Sequence, residues 1–235
     1  MTRTHRAAVV VSFSALAAVV VSFSALVLGL ASCQSGQSGQ SGQSKTSLLN
    51  PSPAELAQPA PDSFKVLFET SKGHFTVQAF RAWAPIGVDR FHFLATHEYF
   101  DGVRFFRVLP NFVVQFGISG DPKIAEAWET RTLPDDPVKQ SNQAGMITYA
   151  MGGPNTRTTQ IFINKRDNSR LDSIGFAPIA KVIDGMHVVE QLYSGYGEGG
   201  RGGPDQGQIR RQGNGYLDRQ FPRLDSIVKA RVVKD

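Results

Sequence analysis

Cysteine is nearly absent. Cys33 is the one thiol in 235 residues, which excludes a disulfide framework, a cysteine metal cluster and a thiol nucleophile in the body of the chain. There is no polybasic run and no ladder of arginines and aromatics, so nucleic acid is not an expected partner. His74, His92, His97 and His187 are not spaced with carboxylates as a ligand set, and core or surface roles are expected rather than a metal site. The glycine-rich residues 195–203 lack the Gly-Lys-Ser or Gly-Lys-Thr ending of a phosphate loop and are expected to form a flexible surface loop. No Gly-x-Ser-x-Gly elbow occurs, which removes support for hydrolase chemistry. No cofactor is expected.

Long apolar runs are confined to the N-terminus. After Arg3 and Arg6, residues 7–31 carry no charged side chain, the profile of an export signal. The run exceeds the roughly 20 apolar residues that span a bilayer, so a retained helix is one reading. The other comes from its ending, Leu30-Ala31-Ser32-Cys33, which resembles the lipobox of bacterial lipoprotein signal peptides and implies cleavage before Cys33 and lipid attachment to it. Both readings give a membrane-tethered domain at the cell envelope, facing away from the cytoplasm. Gln34, in place of an aspartate, favours the outer membrane where there are two. Residues 1–32 hold two of the 25 basic side chains and none of the 20 acidic ones; residues 33–235 have a net charge of +3, too mild to indicate partners.

Two repetitions are visible, one within the apolar run (residues 9–16 and 19–26) and one of Gln-Ser-Gly through residues 34–42. Neither has a solenoid period. Residues 33–62, rich in Gln, Ser, Gly and Pro, read as a flexible tether, and residues 63–235 as the folded domain.

Within that domain Phe64, Val66 and Phe68 alternate with polar neighbours, Ser71-Lys72-Gly73 supplies a turn, and Phe75, Val77 and Ala79 alternate again, predicting a β-hairpin. From Pro85, the apolar Val88, Phe91, Leu94 and Ala95 recur at helical spacing. Short strands are expected at 103–108, 112–116, 146–151, 160–163 and 227–233. A loop is expected over 117–143 with a short helix near 125–130, and a second helix over 186–193. Residues 205–220 offer a helical turn or two, interrupted by Gly213 and Gly215. Many short strands with two separated helices suggest a β-barrel.

The stretch Phe105-Phe106-Arg107-Val108-Leu109-Pro110-Asn111-Phe112-Val113-Val114-Gln115 sets one arginine and one glutamine among large apolar side chains. Arginine does not lose its proton, so it is no base, but it can direct a hydrogen bond at a substrate amide. The stretch from Tyr149 through Gly152-Gly153-Pro154-Asn155-Thr156 to Gln160-Ile161-Phe162 joins two strands through a polar loop. Together with Tyr99-Phe100-Asp101-Gly102 and Leu171-Asp172, these segments resemble the cyclophilin family over about residues 64–233. Gly175-Phe176-Ala177-Pro178 is similar to its bacterial branch.

The resemblance implies a mainly β fold, a closed eight-stranded antiparallel β-barrel capped by two α-helices. It also implies peptidyl-prolyl cis-trans isomerase activity without cofactor or metal. Arg107 would be the catalytic arginine and Gln115 its polar neighbour. Phe112, Val113, Phe162 and Leu171 would wall the proline pocket, Ala150, Met151 and Gln160 would line the same groove, and Phe176 falls near a groove position. Partners would be proline-containing polypeptide clients, with the membrane reached through the lipid anchor and the chain itself a monomer. Two departures stand out. Phe106 replaces the histidine before the arginine, and Arg170 stands where a tryptophan lines the groove of the forms most sensitive to cyclosporin, which implies weak cyclosporin binding. The rival reading is a noncatalytic proline-binding module of the same fold, acting as chaperone or scaffold.

Overall fold

The computed structural model describes residues 46–233; Cys33, the export signal and the first part of the tether lie outside the described residues. Eight antiparallel strands form one curled sheet: β1 (Ser63–Thr70), β2 (Gly73–Phe80), β3 (Arg107–Val108), β4 (Val113–Phe116), β5 (Met146–Tyr149), β6 (Ile161–Asn164), β7 (Pro178–Asp184) and β8 (Ile227–Val233). Their order in the sheet is β3-β4-β6-β5-β7-β2-β1-β8. The hairpin follows the alternation in sequence: Phe64, Val66 and Phe68 of β1 and Phe75, Val77 and Ala79 of β2 all point inward and are buried. Phe68 and Phe75 stack at 4.8 Å, and Phe100 and Phe116 meet Phe68 edge-on at 5.9 and 6.1 Å. Each such fully buried side chain contributes roughly 1.5–3 kcal/mol.

The closed barrel of the sequence reading needs correction. The strand ladders run as an open series with β3 and β8 at its ends, because β3 has only two residues. Residues 103–106, expected to be strand, instead make single backbone bonds across the seam. Phe105 N–H donates to the Asp225 carbonyl at 3.0 Å, and Ile227 N–H to that of Val103 at 2.9 Å. The seam is thus bridged without a ladder.

Helical pieces surround the sheet: α1 (Pro53–Leu56), α2 (Pro85–Thr96), α3 (Pro122–Glu129), a 3-10 helix (Ser169–Ile174), α4 (Met186–Glu190), α5 (Gln206–Gln212) and α6 (Asn214–Gln220). Helix α2 lays Val88, Phe91 and Leu94 into the main core. Its N-cap, Ala84, has no acceptor side chain, so Asp136 supplies one, taking the Ile86 and Gly87 N–H groups at 3.0 and 2.8 Å. Helix α4 ends at Glu190, three residues short of expectation, while residues 205–220 hold two helices rather than a turn or two. They meet at Gly213, whose positive φ and contact with the Gly120 carbonyl leave no room for a Cβ. Helices α3, α5 and α6 enclose a satellite core of Ile118, Ala125, Ile209, Tyr216, Leu217 and Phe221 together with Phe106.

The flexible tether expected over residues 33–62 does not extend to its last part. Leu48 and Ala60 are buried in the main core, the Trp128 indole N–H donates to the Leu48 carbonyl at 2.8 Å, and Ala60 N–H donates to Asp89 at 2.9 Å. Apolar residues spaced among Ser, Pro and Gln are enough to dock the segment. No helix among the described residues is long and apolar enough to cross a membrane.

Candidate active site

The pleat of β4 decides where the site lies. Val114 and Phe116 face the main core, whereas Val113 and Gln115 face the other side, where Val113, Phe162 and Leu171 form a separate apolar cluster. The register then places one residue per strand in a row: Arg107 of β3 opposite Gln115 of β4, and Gln115 opposite Phe162 of β6. Directly opposed side chains on one face lie within contact, so the arginine, the glutamine and the aromatic meet.

The Arg107 side chain is 19 % exposed. Its Nη1 donates to Gln115 Oε1 at 3.1 Å, and Gln115 Nε2 donates to Gln160 Oε1 at 2.9 Å. Nε and Nη2 both donate to Glu198 Oε1, at 3.1 and 2.7 Å. The guanidinium carbon stands 5.6 Å from the centre of the Phe112 ring, whose other neighbour is Arg170 at 4.8 Å. Beside Arg107 opens a cavity of about 230 Å³ lined by Phe112, Val113, Gln115, Ala150, Met151, Phe162, Leu171 and Phe176. Phe162 and Phe176 meet edge-on at 5.8 Å. Nine of the ten groove residues expected from the sequence therefore share this cavity. The tenth, Gln160, lines a neighbouring polar cavity of about 430 Å³ with Thr156, Thr158, Glu129, Gln206 and Arg210.

The walls are fixed by polar residues that sequence reasoning passed over. Asn142, fully buried, donates from Nδ2 to Asp172 Oδ1 at 2.7 Å and to the Phe176 carbonyl at 2.8 Å, and accepts from Thr148 Oγ1 at 2.7 Å. Asp172 also accepts from Ser141 Oγ at 2.6 Å and from the Asn142 backbone at 2.9 Å. Burial opposes the charged form of Asp172, but these hydrogen bonds from Ser141 and Asn142 outweigh it and hold the carboxyl below the usual range. On the far side Asn168 Nδ2 donates to the Phe112 carbonyl at 3.1 Å. Behind β4, burial pushes the Tyr99 hydroxyl up to about 12, so it remains a neutral donor to the Gly117 carbonyl and Thr159 Oγ1.

Phe106, the apolar residue before the arginine, is 2 % exposed and packs in the satellite core. Glu129, Glu198, Gln206 and Arg210 carried no signal in the sequence, since each reaches the site from a distant segment without a motif. Among the described residues no group of three or more His, Cys, Asp or Glu is arranged to hold a metal ion.

The family model for cyclophilin type peptidyl-prolyl cis-trans isomerases matches residues 65–211. A peptidyl-prolyl cis-trans isomerase-like 1 of Aspergillus oryzae is 30 % identical over 176 residues, covering 72 % of this chain and 96 % of the relative. A bacterial relative, a peptidyl-prolyl cis-trans isomerase of Acinetobacter baylyi, is 29 % identical over 133 residues, covering 54 % of this chain and 70 % of its own. In fold, the chain is similar to the crystal structure of a cyclophilin type isomerase of Cryptosporidium parvum, with a TM-score of 0.55 at 19 % identity over 74 % of this chain and 99 % of that one. The same protein crystallised in the presence of the dipeptide Ala-Pro gives a TM-score of 0.54 at 18 % identity, covering 73 % of this chain and 99 % of that one. The chain belongs to the cyclophilin-type peptidyl-prolyl cis-trans isomerases.

Proposed function

We propose that the cavity beside Arg107 takes the proline ring of a substrate and that Arg107 donates the hydrogen bond that stabilises the twisted amide. Rotation about a peptidyl-prolyl bond is slow because amide resonance must be broken, at a barrier of about 18–20 kcal/mol. No covalent step is required; the protein need only bind the twisted form better than either planar one. In that form the nitrogen carries an available lone pair. Of the five N–H groups of a guanidinium, three are engaged by Gln115 and Glu198, which leaves one on each terminal nitrogen of Arg107 to meet it.

The walls formed by Phe112, Val113, Phe162, Leu171 and Phe176 anchor the ring and favour the form without charge separation. Gln115, braced by Gln160, would hold a flanking carbonyl, while Ala150 and the backbone of Met151 would line the chain's path. Arg170, which stands where a tryptophan lines the groove of the forms most sensitive to cyclosporin and here packs over Phe112, would make cyclosporin binding weak. One observation carries this reading: the row Arg107, Gln115, Phe162 with an apolar cavity opening beside the guanidinium.

The setting belongs to the same proposal. Residues 1–32 would be a lipoprotein signal, 33–62 the lipid-bearing Cys33 and the segment joining it to the domain, and 63–235 the catalytic domain, capped by helices and of the family's bacterial branch. The enzyme would act as a monomer on proline-containing segments of exported proteins at the cell envelope. Support comes from the charge-free run ending in Leu30-Ala31-Ser32-Cys33. The test is twofold. Adding a short X-Pro peptide should shift the NMR signals of Phe112, Val113 and Phe162 before any others, and metabolic labelling with a fatty acid should mark the wild type but not Cys33→Ala. Shifts confined to another face, or equal labelling of both chains, would contradict the respective half.

A further inference from the structure

Arg107 is held from behind by a residue outside every motif of the sequence. Glu198 sits in the glycine-rich stretch 195–203, expected to be a plain flexible loop, yet the loop is built. The Glu198 carbonyl accepts the N–H groups of Arg201 and Gly203, both at 3.1 Å. On one side of it the Tyr196 ring packs edge-on against Tyr193 and Phe221, each at 5.0 Å. On the other, Asp205 N–H donates to the Tyr216 hydroxyl at 3.1 Å. Tyr216 and Phe221 belong to the satellite core that also holds Phe106, the neighbour of Arg107. Loop and strand are thus registered against the same side chains.

The Glu198 carboxylate takes the Nε and Nη2 edge of the guanidinium. It does not line the proline cavity, whereas Arg107 does, so the clamp leaves the pocket open. An arginine head on its flexible stem would otherwise sample several orientations, and two charge-assisted hydrogen bonds restrict it to one. We propose that Glu198 is a positioning residue for the isomerisation, holding the Arg107 guanidinium so that its free N–H groups face the amide. This inference rests on the assignment of Arg107 as the catalytic donor. It predicts a contribution to turnover rather than to binding, since the proline ring meets the cavity walls and not Glu198. The Glu198 side chain is 43 % exposed, so the pair is open to screening by salt.

The experiment measures kcat and KM separately for an X-Pro peptide by NMR exchange, using the full chain as wild type, Arg107→Ala, Glu198→Ala and Glu198→Gln. Glu198→Ala should lower kcat roughly tenfold with KM changed by less than about twofold. Glu198→Gln, which keeps an acceptor oxygen, should fall between. The Arg107 Nε–H signal, protected in the wild type, should exchange rapidly with water in Glu198→Ala, and added salt should slow the wild type more than that variant. An unchanged or raised kcat in Glu198→Ala, or a loss carried entirely by KM, overturns the proposal while leaving the isomerase reading intact. A folded wild type no faster than Arg107→Ala removes the reading of Arg107 and this inference with it.

Discussion

Asp172 shows how a single carboxylate outside the reacting groups shapes the site. Its hydrogen bonds from Ser141 and Asn142 hold the 3-10 helix that presents Leu171 to the cavity. Because these bonds depress its pKa, the folded chain binds this proton less tightly than the unfolded chain does. The resulting stability is fully present above the ordinary Asp range and is lost as pH falls through the folded value. Asp172→Asn should therefore cost about 1 kcal/mol at neutral pH, and the gap in melting temperature between variant and wild type should close on acidification. Thermal melts across the acid range check this; a gap that persists in acid would assign the cost to packing instead. At this scale Arg107, Phe112, Val113, Gln115 and Phe162 were legible because they are crowded into two short motifs. Asn142 was not, because a buried asparagine in a loop is indistinguishable in sequence from one in a solvated turn. Glu198 was not, because its partner lies 91 residues away.

Among the elements, β4 and the turn leaving it carry most of the geometry. Gly117 has φ +103°, and a Cβ there would crowd the Thr159 carbonyl and come within 2.9 Å of the Gln160 Cα. Gly117→Ala should destabilise the fold by about 2–4 kcal/mol and displace Gln160 from Gln115, lowering kcat/KM more than a stability loss alone would. Melting curves and peptide kinetics below the transition separate the two effects; unaltered kinetics would show that the Gln115–Gln160 bond is dispensable. The hairpin and α2 were readable from their apolar periods, and β8 spans the residues 227–233 expected of it. Strand β7 was not, since Pro178 opens it and exposed residues from Lys181 onward break the alternation. The strand expected at 103–108 shrank to two residues because its neighbours bond across the seam singly. Of the two glycines that counted against a helix at 205–220, Gly213 marks the joint between two helices and Gly215 lies within the second.

At the scale of the molecule, a main core under the sheet and a satellite core behind Arg107 divide the work: the first fixes the row of strands, the second sets the loop that reaches the guanidinium. The docking of Leu48 and Ala60 extends the packed part of the chain to the N-terminal side of the residue 63 boundary that composition indicates. The segment's Ser, Pro and Gln content hid this, because composition reports the average of a stretch and two buried apolar residues suffice to dock it. The central claim is that this arrangement turns proline binding into catalysis through Arg107. Its most direct test is the cis-to-trans exchange rate of an X-Pro peptide with the full chain, wild type against Arg107→Ala, each verified as folded. The account predicts clear acceleration by the wild type and a loss of about 10²–10³-fold in the variant, the usual size for removing an aimed transition-state donor. Equal rates in the two, or no acceleration by the folded wild type, would contradict it and leave the groove as a proline-binding surface.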